Sequence, residues 1–265
     1  MIIAEIGWNH MGDIELAKRM IDAAIRSGCA FVKFQVWSVD NLVAGPWDTD
    51  GRRQIYEKAE LSTNQLLTLK SYCESHNIGF LVSIFSTKDI AKLDPLSLSS
   101  IKIPSTEAAN QSLLEWVSLY GFDRVFISFG TCTESEIKFA KNILDPDTTV
   151  AMHCVSSYPC PANIVNLNRL DFLKSSFKNV GYSGHFDGID DALAACALGA
   201  KFIEKHFTID KSLPGRDNKF ALNESQMTQL CQSTKNISAM LSTSNNSFME
   251  AESSMRDDYR GRWDG

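Results

Sequence analysis

Eight short runs rich in β-branched and aromatic residues recur along the chain, each followed by a segment with helical period. This alternation constrains the fold more than any other feature. The runs read as strands at 2–7, 31–37, 80–85, 100–105, 124–130, 149–155, 179–185 and 201–207. Helical segments are expected at 13–27, 63–76, 111–120, 134–144, 167–177, 189–198 and about 224–241. The first places Leu16, Met20, Ala23 and Ala24 on one face, and the second opens on Ser62 as an N-cap. A segment near 88–96 is weak because Pro95 interrupts it. Eight alternating pairs over 265 residues fit a single α/β (β/α)8 barrel better than an open doubly wound sheet. An open sheet would usually carry GxGxxG after its first strand, and this chain reads GWNHMG there. Residues 1–241 therefore read as a barrel. Residues 242–265, STSNNS and then MRDDYRGRWDG, read as a polar and charged tail unable to bury itself.

Composition narrows the function classes. A net charge of −6 and the absence of a basic block argue against nucleic acid as a partner. No apolar run approaches a membrane span, and MIIAEIGWNH lacks the basic start of a signal peptide, so a cytoplasmic protein is expected. The seven cysteines never fall at CxxC spacing and read as free thiols.

In a (β/α)8 barrel the carboxyl ends of the strands and the loops after them build the active site. Those positions are unusually polar here. Strand one carries Glu5, then Asn9 and His10; strand two carries Lys33 and Gln35; strand four carries Lys102, Ser105 and then Glu107. Strands five and six bring Ser128, His153 and Ser156; strands seven and eight bring Ser183, His185, Glu204, Lys205 and His206. Burying unpaired charge costs several kcal/mol, so these residues must be paired or functional. His185 and His206 end neighbouring strands and could share a divalent cation, leaving positions for water and substrate; core histidines are the alternative. His10 and His153 suit positioning better than ligation. Lys33 and Lys102 lie among apolar residues: either one forms an imine with a carbonyl, or both hold an anion. Ser105, Ser128 and Ser183 favour the anion, although Lys33 could instead point outward beneath the helices. Glu5, Glu107 and Asp217 are candidate acids, bases or water-orienting groups, Asp217 lying in the loop LPGRDNKF after the last strand.

The strings AEIGWNHMGD, VKFQ, KIPSTEAAN, MHCVSSYPCP, VGYSGH, LGAKFIEKHFTID and LPGRDNKFAL, in this order, resemble the N-acetylneuraminate (sialic acid) synthase family from residue 2 to about 240. The resemblance implies condensation of phosphoenolpyruvate with an N-acylated amino-sugar aldehyde to give a nonulosonic acid and phosphate. It implies His185 and His206 as ligands of Mn²⁺ or Mg²⁺, and Lys33, Lys102, Ser105, Ser128 and Ser183 around phosphoenolpyruvate. Glu5, Glu107 and Asp217 would surround the reacting carbons, with Glu107 steering water. Gln35, Ser156 and Tyr158 would shape the substrate site, and a homodimer is expected.

Three departures stand out. The family's usual YSDH reads YSGH, so Gly184 lacks the carboxylate expected beside a metal histidine. The usual STPF reads SIFS, so Ile84 loses a hydroxyl. An asparagine frequent in the MHC loop is Ser156. The family's C-terminal antifreeze-like domain is expected to be missing, with Arg256, Arg260 or Arg262 of the tail supplying its arginine in trans. Two other readings stay open: an imine-forming aldolase, and a non-catalytic barrel subunit of surface-polysaccharide biosynthesis.

Overall fold

A computed structural model describes residues 1–242 and 248–263. Its eight parallel strands close into a barrel in sequence order: β1 Ile2–Gly7, β2 Phe31–Val36, β3 Gly79–Ile84, β4 Ser100–Ile103, β5 Arg124–Ser128, β6 Thr149–Cys154, β7 Asn179–Gly184 and β8 Phe202–His206. The seam is closed by β1 against β8, with Glu5 level with His206. Helices α1 Ile14–Ser27, α2 Arg52–Ala59, α3 Thr63–Ser75, α4 Ile90–Leu93, α5 Gln111–Tyr120, α6 Glu134–Ile143, α7 Arg169–Ser176, α8 Asp190–Ala197 and α9 Glu224–Met240 lie outside it, and α10 Ser253–Tyr259 follows. The expected barrel is the observed one. The strands at 100–105 and 124–130 end earlier than expected, because Ser105 opens a 3-10 turn and Phe129 leaves the strand.

Local chemistry explains the helix boundaries. Asp13, Ser62, Asn110, Thr133 and Asn223 each accept a backbone N–H in the first turn of the helix that follows. Gly28, with φ of 85°, closes α1 in the left-handed region that glycine adopts without strain. Pro95 splits the third helical segment into α4 between two 3-10 turns, as its missing N–H requires. Helix α2 was not anticipated, since its sequence RRQIYEKA buries only Ala59.

Two hydrophobic layers hold the barrel. One surrounds it, where outward strand residues such as Ala4, Phe34, Val82 and Ile127 meet the helices. The other plugs the interior: Ile3, Leu81, Phe126, Val150, Met152 and Phe202. Two residues further along, the same inward rows carry Glu5, Ser83, Ser128, Cys154 and Glu204, so the apolar plug becomes the floor of a polar site. All seven cysteines are free, Cys29 Sγ lying 3.9 Å from Cys231 Sγ. In the tail, Arg256 lies over Phe248 and Arg262 over Tyr259 and Trp263. Residues 243–247 of the expected linker, and the last two residues, lie outside the described residues. No helix among the described residues is long and apolar enough to cross a membrane.

Candidate active site

A cavity of about 660 Å³ opens at the carboxyl end of the barrel. Glu5, Lys33, Gln35, Lys102, Ser105, Glu107, Ser128, Tyr158, Ser183, His185, His206 and Asp217 all line it. Among the residues expected at the site, Ser156 alone is off its wall. Its buried hydroxyl lies behind Gly130 instead: a Cβ added there would come 2.4 Å from Ser156 Oγ and 2.7 Å from Ser105 Oγ.

The floor is an array of buried charges. Lys102 Nζ donates to both oxygens of Glu204, at 2.9 and 2.8 Å. Lys33 Nζ donates to Ser83 Oγ at 2.7 Å and lies 3.1 Å from Glu5 and 3.5 Å from Glu204. Ser183 Oγ donates to Glu204 at 2.9 Å, and Gln35 Nε2 to Glu5 at 2.6 Å. Lys33 thus points inward, not beneath the helices. Burial opposes the charge on Glu204, but Lys102 and Lys33 outweigh it and hold the carboxyl well below its usual range. Burial raises Glu5, pushing it towards the protonated form, and lowers Lys102. Ser128 Oγ is buried with no partner among the described residues, while Ser105 Oγ accepts from Gly130 N at 3.1 Å. Two ammonium groups beside a partnerless serine hydroxyl offer an anion its donors.

Two imidazoles stand above the floor, their ring centroids 5.4 Å apart. His185 Nδ1 lies 2.8 Å from Val155 O, which fixes Nδ1–H as the donor and leaves Nε2 as the nitrogen available to a ligand. Burial and the neighbouring His185 hold His206 neutral, as a metal ligand requires. Its buried Nδ1 has no hydrogen-bond partner and sits 3.4 Å from Asp217 Oδ2. Burial pushes Asp217 up to about 6. This donor set fits a cation held by two imidazoles with its remaining positions left for water and substrate; no cluster of three His, Cys, Asp or Glu suited to a metal exists among the described residues. His10 and His153 are off the cavity. His153 faces outward and meets Val165 O at 2.7 Å, and His10 Nδ1 accepts from Gly12 N at 3.0 Å.

Two of the sequence departures change meaning in place. Strand alternation turns Ser83, not Ile84, into the barrel, so a hydroxyl does face the site; Ile84 packs in the outer core. Gly184 likewise faces outward, away from the floor, towards Asp191. Sequence reasoning noted Glu204 only as one polar residue of strand eight and missed Ser83, although Glu204 lies two residues before His206 and so on the same face. It also missed the connection from β2 to α3. There Trp37, Leu42, Val43, Trp47 and Tyr56 form an apolar arm of the cavity beside Phe85. Asp89 pins this arm by accepting from Ser38 and Asn41, and Lys92 by donating to Trp37 O and Glu60.

A model of the NeuB family matches residues 20–246. The chain belongs to that family. It is 36% identical over 254 residues to the N,N'-diacetyllegionaminic acid synthase of Campylobacter jejuni, covering 89% of this chain and 76% of that protein. It is 34% identical to the N-acetylneuraminate-9-phosphate synthase of Drosophila melanogaster, covering 89% of this chain and 67% of that protein. Among solved structures, the sialic acid synthetase of Leptospira borgpetersenii in complex with citrate superposes with a TM-score of 0.88 at 32% identity, covering 98% of this chain and 92% of that one.

Proposed function

We propose that this NeuB-family barrel condenses phosphoenolpyruvate with an N-acylated amino-sugar aldehyde, giving a nonulosonic acid and inorganic phosphate. The supporting observation is one cavity in which two buried ammonium groups and a ring of serine hydroxyls lie beneath two adjacent imidazoles. Relatives named as legionaminic, pseudaminic and neuraminate-9-phosphate synthases support the same reaction class.

Lys33 and Lys102 hold the phosphate and carboxylate of phosphoenolpyruvate, with Ser105, Ser128 and Ser183 donating to them. His185 and His206 would hold Mn²⁺ or Mg²⁺, which would supply Lewis-acid polarisation of the acceptor aldehyde. C3 of phosphoenolpyruvate attacks the aldehyde carbon, forming the new C–C bond and leaving positive charge at C2. The floor's Glu204 stays ionised and fixes both ammonium groups while this charge develops. Glu107, whose Oε2 accepts from Asn110 at 2.9 Å, orients the water that adds at C2 and takes its proton. The tetrahedral intermediate then breaks its C–O bond and expels phosphate. Gln35, Tyr158 and the apolar arm hold the acceptor, and Asp217 serves its hydroxyl or aldehyde oxygen. The working form is proposed as a cytoplasmic homodimer.

Phosphoenolpyruvate labelled with ¹⁸O in its C–O–P bridge tests the reaction. Condensation by C–O cleavage delivers the label to inorganic phosphate and yields an acid three carbons longer than the acceptor. Label retained in the organic product overturns the proposal.

A further inference from the structure

Outside the cavity, behind the two histidines, lies a second buried ion pair that the chemistry above does not use. Lys205 Nζ donates to Asp191 Oδ1 and Oδ2 at 3.0 and 2.9 Å, and both side chains are 2% exposed. The same ammonium donates to Phe186 O at 2.8 Å, and Tyr182 OH donates to Asp191 Oδ2 at 2.8 Å. Lys205 immediately precedes His206, and Phe186 immediately follows His185. One ammonium group therefore ties the strand bearing one imidazole to the turn bearing the other.

The space this pair occupies is made by Gly184. It stands opposite Lys205 in the β7–β8 register. A Cβ built on it would lie 2.4 Å from Asp191 Oδ2 and 2.4 Å from the Tyr182 ring. Position 184 and position 191 thus compete for one pocket beside one ammonium, and a carboxylate can reach Lys205 from strand β7 or from helix α8, but not from both. On α8 it also sits in the first turn, where the helix dipole favours it.

We propose that Asp191 is the positioning residue for the His185–His206 pair, acting through Lys205, and that Gly184 is its obligate complement: the carboxylate that could stand beside the histidine on β7 is delivered from α8 instead. The inference rests on the metal reading given above.

The test uses the full chain and MnCl₂ without substrate, following calorimetric affinity, melting temperature and the imidazole NMR signals of His185 and His206 in metal-free protein. Asp191→Ala should weaken Mn²⁺ binding at least tenfold and shift both imidazole signals. Gly184→Asp alone should lower the melting temperature, and Gly184→Asp combined with Asp191→Ala should return affinity and signals most of the way to the parent. Asp191→Asn, which keeps the shape and removes the charge, stands in where Asp191→Ala fails to fold. Leu173→Ala, a core truncation on α7, should lower the melting temperature and leave Mn²⁺ affinity unchanged. Unmoved imidazole signals in the Asp191 variants overturn the positioning role, and a double variant no better than Asp191→Ala overturns the complementarity of Gly184. A parent protein that binds no Mn²⁺ overturns the metal reading, and the metal-free signals still decide the role of Asp191.

Discussion

Lys102 Nζ contacts both carboxylate oxygens of Glu204, at 2.9 and 2.8 Å, and Lys33 lies 3.5 Å from the same group. One carboxylate thus serves two buried ammonium groups. Glu204→Gln leaves Lys102 without a counter-charge and Lys33 with Glu5 alone, and breaking such a buried pair costs about 3–5 kcal/mol. Thermal denaturation should show this loss, and millimolar phosphate should restore more of the melting temperature in the variant than it adds to the parent. Equal protection of both proteins by phosphate would place the anion elsewhere.

The same geometry bears on imine chemistry. An ammonium group held by both oxygens of a carboxylate is not a free amine. Borohydride added with phosphoenolpyruvate and an aldehyde should leave no adduct at Lys33 or Lys102 by peptide mass. Lys102→Met should lower phosphate release about a hundredfold or more, because it removes a charge aimed at the transferred group.

The apolar arm predicts a split in kinetic constants. Trp47 lines the cavity on the connection that follows β2, with Leu42, Val43 and Tyr56. Trp47→Ala should raise the acceptor KM about tenfold and leave the phosphoenolpyruvate KM within about twofold, since only the acceptor would contact the arm. Equal changes in both constants would argue against that division of the cavity.

A stability prediction follows from His10. Burial holds it neutral, lowering its value to about 4 from 6.5. Above pH 6.5 the histidine is neutral in both folded and unfolded chains and has no effect. Between 6.5 and 4 the unfolded chain binds a proton that the folded one does not, so stability falls with pH. Urea denaturation at pH 7 and 4.5 should show about 2–3 kcal/mol of this loss, and His10→Gln should flatten the slope by that amount.

Much of this architecture is legible in the sequence because barrel strands alternate strictly. Lys33, Lys102, Ser128, Ser183, His185 and His206 all occupy inward rows, and their polarity beside the apolar Ile3, Leu81 and Phe126 marks where the plug ends and the site begins. Ile84 and Gly184 fall on the outward rows, which removes them from the site. Helix α2 and the arm around Trp47 left no periodic signal, because a connection held by Asp89 and Lys92 through side-chain to loop hydrogen bonds needs no amphipathic stripe. Glu204 looked like one more strand charge; only the convergence of two lysines from β2 and β4 upon it reveals its position at the centre of the floor.

Initial rates of phosphate release from phosphoenolpyruvate, measured across a panel of N-acyl hexosamines and simple aldoses with and without chelator, test the account most directly. It predicts release that requires an N-acylated aldose, stops with EDTA and returns with Mn²⁺ or Mg²⁺. Release that ignores the aldehyde, or none with any member of the panel, would contradict it.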